Sequence, residues 1–460
     1  MKTSIIPEKQ AFVNIKSESD LNLKAICIFA ATGFFLEKDT YFKDLEALQP
    51  ATEYHFDENH LIKSSAEYWK WHYSPEDISL KQATEEFAHL FEKICNEKLK
   101  DRNVILPLSG GLDSRTQAAV LNEGASVRSY SYKFENSFDE TKYGKEISKI
   151  RSFPFNEYII SKGYLWNVID KLSEINNCYA DFTNPRQMAV IEDIASLGNI
   201  FFLGHWGDVL FDGAGVDDNI DFEKQKSVII KKILKRSGTE LAETLWKVWG
   251  LEGDFKTYLE ERISYLLNNI KIENANSRLR AFKSMYWAPR WTSANMNIFS
   301  CYHPLVLPYY DDEMCKFICR IPENLLSGRK IQINYIKIKN PGLARIAWQD
   351  YAPFNLYNYT NFNRKSRIPG RAIKKGIREV NEKVFGRKLI LRNWEIQFLG
   401  KDNENKLKEH LFDKKTFSTW IPSSIVSEFF SKFKNENPVY YSHSVSILLT
   451  LSMFSGIRHN

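Results

Sequence analysis

The amino-acid sequence predicts an α/β protein, with a doubly wound parallel sheet, a helical C-terminal region and a small β-rich N-terminal domain. Two observations support this class. From about residue 102, short apolar runs alternate with amphipathic stretches, which is typical of buried parallel strands connected by helices. After about residue 220, apolar residues recur mainly at helical spacing.

The composition is that of a globular protein. With 460 residues the chain is too long for one ordinary core, so we expect two domains or one large domain with a remnant attached. The net charge of +6 does not by itself indicate a nucleic-acid partner. No apolar run approaches the ~20 residues of a membrane span, and the N-terminus lacks the apolar core of a signal peptide. We therefore expect a cytoplasmic protein with no membrane partner.

The six cysteines are scattered along the chain without a CxxC pair. Since zinc sites need closely spaced cysteines or histidines, we interpret all six as reduced thiols in the core. Cys315 and Cys319 lie four residues apart, which on a helix places both on one face.

The order of elements follows from changes of pattern. Residues 1–75 contain β-like runs such as LKAICIFAATGFFLE (23–37), and a long amphipathic helix is expected to begin at Ser74, Pro75 and Glu76. We expect three domains: residues 1–75, residues 76–370 and a helical extension over 371–460. The strands and helices predicted after the long helix are strand 103–108, helix 114–124, strand 127–134, helix 140–150 and strand 155–160, with later helices over 223–236, 312–321 and 442–454.

The first strand runs into a glycine turn and then a helix, in the sequence NVILPLSGGLDSR (103–115). Ser109, Gly110 and Gly111 allow successive backbone N–H groups to approach an anion at the carboxyl end of the strand. The pattern is neither Walker A nor GxGxxG. It predicts a phosphate site.

The string LSGGLDSR resembles the SGGxDS pyrophosphate loop of the N-type ATP pyrophosphatases, and its surroundings resemble the asparagine synthetase family. The resemblance implies an adenine nucleotide alpha hydrolase-like sheet, ATP and Mg²⁺ as cofactors, and adenylation of a carboxylate that an amine then attacks. The adenine would meet the backbone of the second strand. The nucleotide-binding residues that it implies are Leu108, Ser109, Gly110, Gly111, Asp113, Ser114, Ser131, Tyr132 and Gly204.

The string NIFFLGHWGDVLFDGAG (199–215) resembles the second family motif, an apolar strand followed by GHGGDELFGGY. The resemblance implies that Asp208 and Asp113 bind the metal, and two carboxylates with phosphate oxygens suit Mg²⁺. His205 lies where the family places a residue near the reacting carbonyl, and a histidine can take a proton from an amine at neutral pH. A structural hydrogen-bonding role for His205 is the alternative.

Two further segments extend the resemblance. Pro308, Tyr309, Tyr310 and Asp311 resemble the family's PFLD, which packs the helical region against the nucleotide site. The string NRKSRIPGR (363–371) resembles its RxKxGF loop, whose lysine stabilises charge on the acyl-adenylate. This implies a catalytic role for Lys365, with Lys330 as a weaker candidate.

The departures from the family concern the nitrogen source. Lys2 stands where glutamine-dependent members have a nucleophilic cysteine, and TYFKDLEALQPATEYHF (40–56) resembles only the last part of the glutaminase domain. We therefore expect a truncated glutaminase-like remnant that does not hydrolyse glutamine. Ammonia, a separate glutaminase or a substrate amine would supply nitrogen, and Val209 in place of the family's glutamate weakens the case for aspartate as the carboxylate. A small-molecule, peptide or sugar carboxylate in polysaccharide or natural-product assembly is then as reasonable a substrate as aspartate. The sequence leaves the oligomeric state open, with a homodimer as one alternative.

Two alternatives use the same sequence differently. Residues 364–388 hold ten Lys or Arg against two Glu, so the chain could be a tRNA-modifying ATP pyrophosphatase, although the remnant and the PFLD-like segment speak against a nucleic-acid partner. A catalytically degenerate member that only binds nucleotide or a partner is the second alternative.

Overall fold

The computed structural model describes residues 21–58, 61–122, 124–137, 139–363, 390–412 and 417–457. A five-stranded parallel sheet has the order β5–β4–β3–β6–β7, and a separate antiparallel hairpin, β1–β2, precedes it. The strands are β1 (Thr52–Phe56), β2 (Ile62–Glu67), β3 (Val104–Pro107), β4 (Val127–Phe134), β5 (Phe155–Ile160), β6 (Ile200–Phe202) and β7 (Leu305–Val306).

Helices make up most of the remaining described residues. Those before the middle of the chain are α1 (Leu23–Thr32), α2 (Leu80–Leu99), α3 (Leu112–Val120), α4 (Thr141–Arg151), α5 (Leu165–Asn176), α6 (Ile191–Ala195), α7 (Gly207–Leu210) and α8 (Phe222–Ile233). Those after it are α9 (Gly238–Val248), α10 (Phe255–Asn269), α11 (Ala275–Phe282), α12 (Ser293–Ser300), α13 (Asp312–Arg320), α14 (Glu323–Leu326), α15 (Lys330–Lys339), α16 (Pro341–Arg345), α17 (Asn393–Phe398), α18 (Lys401–Phe412), α19 (Ser423–Asn435) and α20 (Pro438–Ile457). A π-helical segment, Lys283–Thr292, joins α11 to α12.

The parallel sheet is buried on both faces, as its uninterrupted apolar strands require. In β3, Ile105 belongs to one cluster of buried residues, while Val104 and Leu106 belong to another. Because successive side chains of a strand point to opposite faces, the two clusters lie on the two sides of the sheet. The predicted α/β class with a doubly wound parallel sheet is confirmed.

The structure corrects two predictions about the N-terminal part. The run over 23–37 was expected to be β-like, but Leu23–Thr32 is an α-helix, and all its residues from Ala25 onward are buried. A segment apolar on every side does not show helical periodicity, so its pattern cannot separate a buried helix from a strand. The long helix begins at Leu80 rather than at Ser74, because Ser79 and Gln82 form a capping box.

The first and last described parts of the chain share one core. Tyr41 stacks on Phe454 with ring centroids 3.8 Å apart, and α1 packs against α9. Helices over 393–457 agree with the predicted helical character of the C-terminal part, while the division into three domains stays a prediction.

Five of the six cysteines are buried and unbridged, as expected, but Cys301 is exposed. It follows the last residue of α12, where the chain turns at the surface. In the part of the chain that the structure describes, no helix has the length and apolar character needed to cross a bilayer.

Arg115 connects α3 to the segment that follows α15. Its side chain is fully buried, and burial lowers its pKa to about 10. One guanidinium nitrogen donates to the carbonyls of Ile346 (3.0 Å) and Leu343 (3.4 Å), and the other to those of Ala347 (2.9 Å) and Gly110 (3.1 Å).

We expect Arg115→Met to lower the free energy of unfolding by about 3 kcal/mol, because it removes four hydrogen bonds between a buried guanidinium and backbone carbonyls. Denaturant unfolding measures this loss. Arg128→Met, which removes an exposed arginine from β4, should leave stability nearly unchanged. Equal stability of the two variants would contradict the assignment.

Candidate active site

The turn after β3 is closely packed against the segment around Gln349. A Cβ at Gly110 would lie 2.6 Å from the Gln349 Cβ and 2.8 Å from the Tyr143 ring. Only glycine therefore fits at this position, and its lack of a side chain brings the turn under Gln349.

The backbone N–H groups of the turn have partners within the protein. Ser109 N donates to the Ser114 hydroxyl (3.1 Å), Gly111 N to the Ser109 hydroxyl (3.3 Å) and Gly110 N to Gln349 Oε1 (3.2 Å). The two hydroxyls are 3.0 Å apart. A phosphate that took these amides would replace neutral oxygens with charged ones, which are stronger acceptors.

Asp113, in the first turn of α3, is the point at which distant segments meet. Its carboxylate accepts hydrogen bonds from Arg329 and from Gln332 Nε2 (3.1 Å), both at Oδ1. Its backbone carbonyl accepts from the Tyr309 hydroxyl (3.1 Å). Tyr309 belongs to the PFLD-like segment, which thus contacts the loop as the resemblance implied.

The second motif lies directly against Asp113. A Cβ at Gly204 would lie 2.9 Å from the Asp113 Cβ, and one at Gly207 would collide with the Asp113 carboxylate. Trp206 between them has φ 73°, in the left-handed region that is uncommon for residues other than glycine. This tight turn places Asp208 in the first turn of α7, close enough to interact electrostatically with Asp113.

The electrostatic balance at Asp113 suits a cation. Burial raises the pKa of Asp113, the Arg329 guanidinium lowers it, and the neighbouring Asp208 raises it again. Both hydrogen bonds that the described side chains donate to this carboxylate end on Oδ1. Mg²⁺ is commonly held by one or two carboxylates together with phosphates and water, and this pair meets that requirement. Among the described residues there is no cluster of three or more His, Cys, Asp or Glu side chains that could hold a metal alone.

His205 has an unpartnered ring nitrogen. Its Nδ1 is buried and has no hydrogen bond to the residues that the structure describes. Burial lowers the pKa of His205 to about 4, although Asp208 acts in the opposite sense. The imidazole is therefore neutral at pH 7 and can accept a proton, but it is a weak base, because the most effective general base has a pKa near the working pH.

The predicted site residues surround one cavity of about 880 Å³. Its walls hold most of the residues that the sequence assigned to nucleotide, metal and catalysis; Gly110 and Gly111 form the adjoining turn. The predicted residues in the wall are Leu108, Ser109, Asp113, Ser114, Ser131, Tyr132, Gly204, His205 and Asp208.

The end of β4 forms another part of this wall. The Ser131 hydroxyl donates to the carbonyl of Leu108 (2.5 Å), which links β4 to the end of β3. The Tyr132 hydroxyl accepts from Arg186 Nε and Gln187 Nε2, each at 2.9 Å. Arg186 also lies over the Tyr132 ring, 5.5 Å from its centroid.

Only one of the two lysines predicted to stabilise charge lies in the part of the chain that the structure describes. Lys365 lies outside the described residues. Lys330 is exposed and donates to the carbonyl of Asn324 (2.7 Å), away from the cavity wall. Its role as a weaker candidate therefore has no support from the structure.

The sequence interpretation missed other cationic residues. Arg329 binds Asp113, and Lys283 and Lys232 line the cavity. Burial lowers the pKa of Lys283 to about 8. The run KSMYWAPRW (283–291) carries Lys283 and two tryptophans four residues apart, but no motif marked that spacing as functional.

Comparison with known proteins identifies the family. A family model described as asparagine synthase matches residues 86–332, which is more than half of the chain. The chain belongs to the asparagine synthase family. The resemblance carried by residues 109–114 and 199–215 is thereby confirmed. Members of the asparagine synthase family use ATP in amide formation.

Other comparisons add little to the family assignment. Among solved structures, the NMN synthetase from Francisella tularensis is 13% identical over 45% of this chain and 93% of its own, with a TM-score of 0.23. No curated protein matches the sequence.

We expect His205 to stay neutral between pH 5 and 8 and to titrate near pH 4, because burial disfavours the imidazolium. Since its pKa lies below the usual ~6.5, the unfolded chain takes up the proton first and stability falls as the pH drops from about 6.5 towards 4. Long-range ¹H–¹⁵N NMR, assigned with His205→Gln, measures the titration. A midpoint above pH 6 would contradict this account.

We expect Arg329→Met to lower the free energy of unfolding by roughly 3 kcal/mol, because it leaves the Asp113 carboxylate without its cation. Adding Asp113→Asn should restore much of that loss, since no charge then remains unpaired. Unfolding of the four proteins in the double-mutant cycle measures the coupling. Simple additivity of the two losses would contradict a direct pair.

Proposed function

We propose that this chain is an ATP- and Mg²⁺-dependent ligase that adenylates a carboxylate, releases pyrophosphate and passes the acyl group to ammonia or to a substrate amine. The observation that supports this best is the meeting of Asp113, Asp208 and the Ser109–Ser114 turn on one cavity. A phosphate-binding turn beside two carboxylates is the arrangement that a magnesium nucleotide requires.

The nucleotide would span two strand ends. The adenine would lie at the end of β4 near Ser131 and Tyr132, and the phosphates would lie at the turn after β3. The hydroxyls of Ser109 and Ser114 and the amide of Gly110 are then available to phosphate oxygens once Gln349 gives up its hydrogen bond.

Asp113 and Asp208 would hold the metal ion, which when bound supplies positive charge that neutralises the phosphate oxygens. The Arg329 guanidinium opposes the effect of burial on the pKa of Asp113 and orients the carboxylate through Oδ1.

The reaction has two displacements. A carboxylate oxygen attacks the α-phosphorus of ATP and pyrophosphate leaves, which gives an acyl-adenylate. The amine nitrogen then attacks the acyl carbon, AMP leaves with the C–O bonding pair, and the amine loses a proton to a base. His205 lines the cavity and is the base candidate, although its low pKa limits its strength.

In this proposal, neither the nitrogen source nor the carboxylate need be that of a glutamine-dependent asparagine synthetase, which uses glutamine and aspartate. Val209, in place of the family's glutamate, lines the cavity and offers no charge to an ammonium group. Free ammonia, a separate glutaminase or a substrate amine would each deliver a neutral nucleophile.

With ATP, Mg²⁺, ammonium and a panel of carboxylates, we expect AMP and pyrophosphate as products. Their formation is measured by ³¹P NMR. Asp113→Asn and Asp208→Asn should each lower the rate at least a hundredfold, because each removes a metal ligand. Asp217→Asn, at an exposed position in the loop after α7, is the matched control and should keep full activity. Formation of ADP and phosphate would contradict adenylation, and ATP binding without turnover would support a degenerate member.

A further inference from the structure

One part of the cavity wall comes from the π-helical segment, Lys283–Thr292. Four of its residues line the cavity: Lys283, Trp287, Trp291 and Thr292, which together form the Lys-Trp wall. Residues four apart lie on the same side of a helix, so Lys283, Trp287 and Trp291 can line the cavity together. Segments of π-helix are rare in proteins, but those that occur are frequently found at functional sites.

The indoles of the Lys-Trp wall are held from behind. Trp287 stacks on Phe34 with ring centroids 5.7 Å apart and planes 3° from parallel. Trp291 meets Trp287 edge to face at 6.4 Å, and the Lys235 ammonium lies 6.0 Å from its ring centre. These contacts fix a rigid aromatic surface beside the cavity.

Polar atoms of the same wall have no partner. The indole nitrogens of Trp287 and Trp291 and the hydroxyl of Thr292 are buried and make no hydrogen bond to the described residues. Thr292 is only 5% exposed. Buried polar groups in folded proteins are nearly always paired, so three unpaired polar atoms mark this segment as unusual.

The charge of this part of the cavity is positive. Lys283 and Lys232 both line it, and the Lys283 ammonium has no hydrogen bond or ion pair with the described residues. Burial and the nearby Lys232 and Arg280 disfavour its charged form, while Asp208 and Asp212 favour it. The one acidic residue beside it in the wall is Asp208, which the proposed function assigns to the metal.

We propose that the Lys-Trp wall binds the carboxylate substrate, and that this substrate is a ring-bearing carboxylic acid without an ammonium group. The ring packs on Trp287 and Trp291, and Lys283 pairs with the carboxylate. The inference rests on the proposed function and names its substrate class.

The charge distribution separates this class from acidic amino acids. Aspartate would bring an ammonium group that needs a carboxylate partner, but the acidic residue of the cavity lining that interacts with Lys283 is Asp208, which the proposed function assigns to the metal. A small, wholly polar substrate would also leave the two indoles uncovered.

The test is calorimetric titration of the full chain, loaded with Mg²⁺ and a non-hydrolysable ATP analogue, with three sets of acids: hexuronic acids, aromatic ring carboxylates, and aspartate with glutamate. We expect binding by ring acids and none by the amino acids. Comparison of the first two sets identifies the type of ring. Binding by amino acids alone, or by no ring acid, overturns the proposal.

Lys283→Gln should weaken ring-acid binding at least tenfold and change the affinity for the ATP analogue less than twofold. Lys224→Gln, which removes an exposed lysine paired with Asp221, is the matched control and should change neither. An unchanged ring-acid affinity in Lys283→Gln overturns the assignment. If ring acids bind but yield no AMP with ATP, the proposed function fails while the substrate site stands.

Discussion

The arrangement of the cavity depends on the buried guanidinium of Arg115. This side chain lies beneath the turn after β3 and donates to carbonyls of Gly110 and of residues 343–347. Without it the turn and the segment carrying Gln349 would lose four hydrogen bonds in the interior of the protein. The turn is therefore held on one side by the Arg115 guanidinium and on the other by Gln349. These contacts also fix the position of Asp113 at the start of α3.

Asp113 then determines where the other parts of the site can lie. Gly204 and Gly207 approach it without side chains, Tyr309 bonds its backbone, and Arg329 holds one carboxylate oxygen. These residues come from widely separated parts of the chain. The site is thus assembled by contacts to one residue rather than by a local motif.

Much of the fold could be predicted from sequence because the buried strands are apolar and bounded by turns. Val127–Phe134 and Phe155–Ile160 lie where the pattern placed them. The helix Leu23–Thr32 was misread because it is apolar on all sides and shows no period. Asp113 and Asp208 carried recognisable motifs, whereas Arg329, Lys283, Trp287 and Trp291 reach the cavity through tertiary packing and a π-helical turn that no local pattern reveals.

The central claim is that three distant segments form one nucleotide site. Hydrogen–deuterium exchange with and without a non-hydrolysable ATP analogue and Mg²⁺ tests it without knowledge of the carboxylate. The account predicts slower exchange in residues 108–114, 130–134 and 204–208 together, and loss of that protection in Asp113→Asn. Unchanged exchange in these three segments, or protection confined to other parts of the chain, would contradict it.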